Sequence, residues 1–406
     1  MCAPMSQNTL PPTRHPRLKL KPGAHKRLRT GYPWVYSNEV EMDPAAKALP
    51  AGTVVTLADA GGQALATAQF NPRTLISARV LAHQPDTAID ADFLSQRLQA
   101  AFKLRDRLFD KPYYRLIHAE ADGLPGLIID RFGDAFVMQP NTAGMNLLAH
   151  QISAVLQSIA GARTVILRGD KAARTLEGLD EEVRLLAGTV DGPVKVEENG
   201  VTFFADLMSG QKTGWFFDQR DNHAFMAALS KGATFLDLYT HTGGFAVPAA
   251  RVGASSALGV DRSAPSLELA AKAAHENGVA KTCAFERAEV FPFLEAALGR
   301  KASWDVVIGD PPAFVKSKKD LKAGMQGYRK LARLCAGVTA PGGILFMASC
   351  SHNAPLEEFI TSVARGLTDA GREGRIIRIS GASPDHPIHP LLPESAYLKA
   401  IVLQLD

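Results

Sequence analysis

The chain has no paired cysteines. Its four, Cys2, Cys283, Cys335 and Cys350, show neither C-x-x-C spacing nor a disulfide ladder across 406 residues. That pattern argues against a zinc site or a bridged, secreted scaffold, and it suits a reducing cytosol. No run of ~18 apolar residues is present to span a membrane. No apolar segment follows the first charges, as a secretion signal would require. Acidic residues are missing from Met1 to Asn38, where Arg14, Arg17, Lys19, Lys21, Lys26, Arg27 and Arg29 are all basic. The net charge is only +4, yet a local field of that sign favours a polyanion through phosphate contacts and counterion release. A solvated basic tail would carry the same charges.

What is present is an ordinary globular composition, 46% hydrophobic and 21% charged, in a chain long enough for two or three domains. Residues 1–13 are polar and Pro-containing and read as a disordered tail. Residues 14–85 hold short strand-like runs (Arg17 to Leu20, Thr53 to Leu57, Ala64 to Phe70, Leu75 to Val80) with Gly61-Gly62 as a hairpin turn. After a break, a helix is expected from about Ala91 to Phe109, apolar at Phe93, Leu94, Leu98, Ala101 and Leu104. Residues 90–207 then mix strands (Gly126 to Ile129, Phe136 to Gln139, Thr164 to Arg168, Val194 to Val196) with a helix near Asn146 to Ile159, an α+β pattern.

Residues 208–406 alternate strand and helix. Strands fall at Thr234 to Tyr239, Ala257 to Val260, Cys283 to Arg287, Trp304 to Ile308 and Gly343 to Ser349. The clearest helix runs from Ser263, its N-cap, to Asn277, with Gly278 as its stop. Such alternation means a parallel sheet with helices on both faces. A helix from about Pro355 to Asp369 leads to a strand at Arg375 to Ile379. Pro384, Pro387, Pro390 and Pro393 then leave no room for a crossover helix. The last strand, Tyr397 to Leu405, should therefore pair antiparallel with its predecessor.

The candidate cofactor loop is Asp237-Leu238-Tyr239-Thr240-His241-Thr242-Gly243-Gly244-Phe245, at the end of the first parallel strand. Paired glycines there would let a ligand approach the backbone. Asp261, eighteen residues after Gly243, ends the second strand and could accept hydrogen bonds from both ribose hydroxyls of an adenosine. Arg262 follows it. After the third strand, Glu289 and the next amide could read an adenine edge. Taken singly, a Gly-Gly pair can be a tight turn and such an Asp a helix cap. There is no G-x-G-x-x-G and no Walker lysine, so nothing here points to pyrophosphate or triphosphate cradling. S-adenosylmethionine, an adenosine cofactor without phosphates, satisfies what remains. No metal is expected.

The fourth strand ends in Asp310-Pro311-Pro312-Ala313-Phe314, a carboxylate and a rigid apolar turn against which a flat base could lie. Amino-methyltransferases use a similar segment to hold an amine, so the run alone does not name the target atom. The fifth strand ends in Ser349-Cys350-Ser351-His352. Carbon-5 of a pyrimidine is too poor a nucleophile to attack a sulfonium methyl directly. A thiolate adding to carbon-6 makes carbon-5 nucleophilic, and loss of the carbon-5 proton then releases the enzyme. Cys350 is placed for that role, with Ser351 and His352 as candidates to stabilise its thiolate. Cys283 and Cys335 read as packing residues.

With these residues in place, the chain from about Arg17 resembles the bacterial ribosomal RNA cytosine-5 methyltransferases that carry an N-terminal PUA domain. The matching runs are Gly31 to Ser37 (G-Y-P-W-V-Y-S), Gly123 to Leu127 (G-L-P-G-L), Lys212 to Arg220 (K-T-G-W-F-F-D-Q-R), Thr242 to Phe245, Asp310-Pro311-Pro312, Ser349-Cys350-Ser351 and Asp385-His386-Pro387. The resemblance implies an α/β class I, Rossmann-like methyltransferase domain with a reversed last strand, behind a small β-rich PUA-like domain and an α+β middle domain. It implies S-adenosylmethionine as cofactor, large-subunit ribosomal RNA as substrate, a cytoplasmic location, and a homodimer. Gln219 and Arg220 would help close the cofactor site, and Cys350 would be the nucleophile. Position 312 is Pro where many RNA cytosine-5 methyltransferases have a second cysteine, so proton removal falls to Asp310, or failing that to His352. Methylation of uracil carbon-5 or of a base nitrogen stays open, as does a non-catalytic RNA-binding assembly factor. A nicotinamide dehydrogenase shares the fold class but lacks its phosphate fingerprint here.

Overall fold

The computed structural model describes residues 15–169, 171–210 and 213–406. The expected tail at residues 1–13, Cys2, Arg14 and Lys212 lie outside the described residues. The chain divides into two compact units. One comprises Met1–Arg107, Arg115–Thr189 and His389–Leu392; the other comprises Leu108–Tyr114, Val190–Ile388 and Pro393–Asp406.

The first unit holds two five-stranded sheets. One is ordered Arg17–Lys19, Thr53–Ala58, Ala64–Phe70, Ile76–Ala82, Trp34–Tyr36. Its strands bury Leu18, Val35, Leu57, Phe70 and Val80 in one core. The Gly61-Gly62 turn forms as the sequence predicts: Asp59 accepts the amides of Gly61 and Gln63, and Gly62 sits at φ +87°. The basic run is partly offset by acids from further along the chain, since Arg27 pairs with Glu39 at 2.7 Å and Arg29 with Asp59 at 3.6 Å. Lys19, Lys21 and Lys26 are exposed, with no carboxylate in pairing distance among the described residues.

The other sheet of this unit is ordered Val183–Ala187, Thr164–Arg168, Ala135–Pro140, Leu127–Phe132, Tyr113–His118. Its first and last strands went unread in the sequence. The predicted helix at Asn146 to Ile159 is two helices, Ala143–Leu147 and Ala149–Ala160, the second stopped by Gly161 at φ +61°. Helix Ala91–Leu108 forms as expected and buries Leu94, Leu98 and Ala101.

The second unit is built on a seven-stranded sheet. Its strands are β1 (Thr234–Leu238), β2 (Ser256–Asp261), β3 (Cys283–Arg287), β4 (Trp304–Gly309), β5 (Thr339–Ser349), β6 (Gly374–Ser380) and β7 (Lys399–Leu405). The spatial order is β3-β2-β1-β4-β5-β7-β6. The neighbours β1 to β5 pair parallel, while β7 runs antiparallel to both β5 and β6. The reversal follows from the prolines: the link between β6 and β7 holds only a short 3-10 turn, Pro393–Ser395.

Six helices matter here: α1 (Arg220–Ala228), α2 (Ala246–Arg251), α3 (Ala264–Glu276), α4 (Val290–Gly299), α5 (Leu321–Val338) and α6 (Leu356–Asp369). Ser263 caps α3 by accepting the Ser266 amide, and Gly278 follows it at φ +71°. Helices α5 and α6 approach closely because a Cβ on Gly366 would stand 2.6 Å from the Arg329 carbonyl. A hairpin, Val194–Glu198 with Val201–Ala205, also belongs to this unit. Its turn is Asn199-Gly200, both at positive φ (51° and 74°), as a type I′ turn demands. Asn277, beyond α3, exchanges two hydrogen bonds with the Thr202 backbone, which fixes the hairpin to the helix.

Candidate active site

The loop after β1 is shaped by strain and by a buried acid. Tyr239 and His241 hold left-handed backbone, φ +64° and +51°, which non-glycine residues rarely adopt. Asp237 supports the loop from below. Its Oδ2 accepts the Thr240 hydroxyl at 2.5 Å and the Ala246 amide, at the start of α2, at 3.0 Å. Burial pushes this carboxyl up to about 7, against the pull of those two donors. A Cβ on Gly243 would lie 2.8 Å from Val247, and one on Gly244 would lie 2.8 Å from Nε2 of His223. The glycine pair therefore serves the packing behind the loop as well as its turn.

A cavity of about 500 Å³ opens at the carboxyl ends of β1, β2, β4 and β5. Tyr239, Thr242, Gly244, Asp261, Arg262, Glu289, Asp310 and Cys350 all line it. Phe216, Phe245, Phe291 and Phe314 supply apolar walls. Asp261 accepts the His241 amide at 3.0 Å and the Ser263 amide at 2.9 Å, so its carboxylate is fixed at the end of β2. Glu289 precedes α4 without a side-chain bond to the helix amides, which leaves its carboxylate for the cavity. Among the described residues Arg262 is the only lysine or arginine on this wall. A carboxylate fixed at the end of β2, a second at Glu289 and apolar faces, without a cluster of cations for phosphates, suit an adenosine cofactor with a cationic sulfonium.

Gln219, Arg220 and Gly243 are not on that wall. Gln219 donates to Asp310 Oδ2 at 2.8 Å and accepts from Asn222 at 2.6 Å; Asn222 in turn accepts from Ser380 at 2.7 Å. This chain of bonds from the end of β6 sets the direction of Asp310. Arg220 is buried against Phe109, 4.5 Å from the ring centroid, and donates to the Tyr113 carbonyl. Its place is in the packing of the 108–114 segment.

Cys350 sits on a turn held from behind. Ser349 and Ser351 both bond the Tyr328 hydroxyl of α5, at 2.8 and 2.9 Å, and Ser351 Oγ also accepts the Val315 amide at 3.1 Å. The Ser351 hydroxyl, one of the two groups the sequence offers as thiolate partners, is engaged in this clamp on the turn. His352 is exposed, its ring 5.1 Å from that of Tyr397, and it does not line the cavity. From the opposite side Lys399, at the start of β7, donates to the Ser351 carbonyl at 2.6 Å. Cys283 and Cys335 are buried in the sheet and in α5; burial pushes the Cys283 thiol up to about 12 and raises that of Cys335 as well.

Several residues of the site escaped the sequence reading. Glu198, at the end of the hairpin strand, accepts from Trp215 Nε1 at 3.0 Å and lies 2.7 Å from His223 Nδ1. Trp215 and His223 line the cavity, as does Asp218, whose Oδ2 accepts the Tyr397 hydroxyl. The N-G turn was the available signal for the hairpin. Nothing in the sequence couples Glu198 to His223 across 25 residues.

The strand order with its single reversed strand, and a cavity at the parallel strand ends, define a class I S-adenosylmethionine-dependent methyltransferase. Residues 177–403 match the family model of S-adenosylmethionine-dependent methyltransferases, and residues 18–83 match that of PUA-like domains. The chain belongs to the family of ribosomal RNA large subunit methyltransferase I, and its cofactor is S-adenosylmethionine. It is 35% identical to the family member of that name from Aeromonas hydrophila over 389 residues, covering 94% of this chain and 97% of that one. The Escherichia coli member is 34% identical over 394 residues, covering 96% and 99%. Among solved structures, a protein described as an S-adenosylmethionine-dependent methyltransferase from Streptococcus mutans superposes with TM-score 0.80 at 20% identity, over 96% of this chain and 100% of that one. A methyltransferase solved with S-adenosylhomocysteine gives TM-score 0.82 over the same shares, also at 20% identity. These two likenesses concern the fold.

Proposed function

We propose that the chain methylates carbon-5 of a cytosine in large-subunit ribosomal RNA, in the cytoplasm, through a covalent adduct with Cys350. One observation carries the reading: Cys350 and Asp310 share a cavity wall with Asp261 and Glu289, so a thiol and a carboxylate meet the adenosine site at adjacent strand ends. The relatives are ribosomal RNA large subunit methyltransferases, which points to the RNA, and the PUA-like match with its exposed lysines supports it.

S-adenosylmethionine supplies the electrophilic methyl group. Asp261 would hold its adenosine by the ribose hydroxyls and Glu289 by the adenine edge. Pro311, Pro312 and Phe314 provide a flat apolar face for the target base, which must leave its stack to enter. The Cys350 thiolate adds to carbon-6, and carbon-5 then takes the methyl as its bond to the sulfonium breaks, leaving the neutral thioether S-adenosylhomocysteine. Asp310, aimed by Gln219, accepts the carbon-5 proton; the carbon-5 to carbon-6 double bond re-forms and expels the thiolate.

Incubation of the protein with labelled S-adenosylmethionine and unmodified ribosomal RNA tests this. Nucleoside mass spectrometry should show 5-methylcytidine, and Cys350→Ala should abolish turnover while leaving cofactor binding unchanged. Full turnover by that variant refutes the covalent route. A 5-methyluridine or N-methylated product refutes the target.

A further inference from the structure

A cation faces the turn that carries Cys350. Lys399 stands opposite Ser349 in the antiparallel register of β5 and β7. It is partly buried, and its Nζ donates to the carbonyl of Ser351, the residue after Cys350, at 2.6 Å. The other groups around the turn do not favour a thiolate. The carboxylates of Asp218, Asp261, Glu289 and Asp310 share the cavity wall, as do His223, bonded to Glu198, and His241, edge-on to Phe216. The Tyr328 phenol behind the turn is engaged by Ser349 and Ser351. His352 turns its ring to Tyr397. Arg262 is on the wall but follows β2, on the far side of β1 and β4 from the turn. Negative neighbours raise a thiol's pKa and an adjacent ammonium lowers it.

We propose that Lys399 is a positioning residue for the reaction: its ammonium holds the Cys350 thiol as thiolate, the proton passing to solvent, and its bond to the Ser351 carbonyl keeps the turn in place. The proposal rests on the covalent reading above. Burial brings the Lys399 amine down to about 8, with attraction to Cys350 working in the opposite direction. At neutral pH the amine is therefore still mostly charged.

The test is the pH profile of iodoacetamide alkylation at Cys350 in the full chain, read by mass spectrometry of its peptide. It compares wild type with Lys399→Arg, Lys399→Met and Lys399→Gln. Wild type should show a midpoint below the ~8.5 of a free thiol. Arg should stay near wild type, while Met and Gln should both rise by about one unit. Gln can still donate toward the Ser351 carbonyl, so a rise shared by Met and Gln reports the charge. A rise in Met alone, or in neither, overturns the proposal. If Met and Gln fail to fold, wild type decides alone: a midpoint at or above ~8.5 overturns the proposal and a lower one supports it. In turnover, Met and Gln should lower kcat at pH 7, recover as pH rises, and leave KM for RNA unchanged. Alkylation reads the charge coupling whether or not the thiol attacks a base, so its failure is separate from that of the covalent route, which Cys350→Ala tests.

Discussion

Asp237 shows what single side chains contribute beneath the reacting groups. Burial is the larger cause of its raised pKa, and the charged form is the one penalised. A carboxyl raised to about 7 in the folded chain favours the native state fully below its unfolded value of ~3.9, and that contribution is lost as pH rises through the folded value. Asp237→Asn keeps an acceptor for Thr240 and Ala246 but cannot ionise. Relative to wild type it should gain stability from pH 4 to 7, by at most roughly 1.4 kcal/mol per unit, and level off above. Urea unfolding at four pH values across that window measures it. A difference independent of pH would show that Asp237 ionises freely in the fold.

At the scale of elements, the sheet sets the site and the hairpin supports it. Gly244 packs on the His223 ring, which Glu198 fixes from the hairpin. Gly244→Ala should cost about 1–3 kcal/mol through the clash with His223 and weaken cofactor binding; thermal unfolding and calorimetry read the two effects. His223→Ala in the same chain should restore part of the loss, since it removes the obstacle. The elements also explain what could be read in advance. That Asp261, Glu289, Asp310 and Cys350 share one cavity wall was legible because each ends a parallel strand or follows it within two residues, where topology alone brings residues together. Asp218, Trp215 and His223 were not, because they reach the cavity from the segment before β1 and from α1, which no strand register places. The roles of Gln219 and Arg220 were hidden for the same reason: their partners, Asp310 and Tyr113, lie 91 and 107 residues away. Strands Tyr113–His118 and Val183–Ala187 were missed because each is short and its burial does not alternate cleanly.

At the scale of the whole molecule, a PUA-like unit with exposed lysines and a methyltransferase cavity belong to one chain. Lys19, Lys21 and Lys26 contribute sequence-independent phosphate attraction in this account. Replacing all three with Gln should weaken RNA binding and make the slope of log K against log salt shallower by about 2–3 units. S-adenosylmethionine binding, measured without RNA, should not change. An unaltered salt slope would place the RNA elsewhere on the protein.

The central step of the proposed reaction is a bond between the Cys350 sulfur and carbon-6 of a cytosine. Ribosomal RNA carrying 5-fluorocytidine keeps that bond from resolving, because fluorine cannot leave carbon-5 as a proton does. With S-adenosylmethionine present, mass spectrometry of the digested complex should find a methylated fluorocytidine on the peptide containing Cys350, and none with Cys350→Ala. Methyl transfer to unsubstituted RNA without any such adduct, or an adduct on another residue, would contradict it.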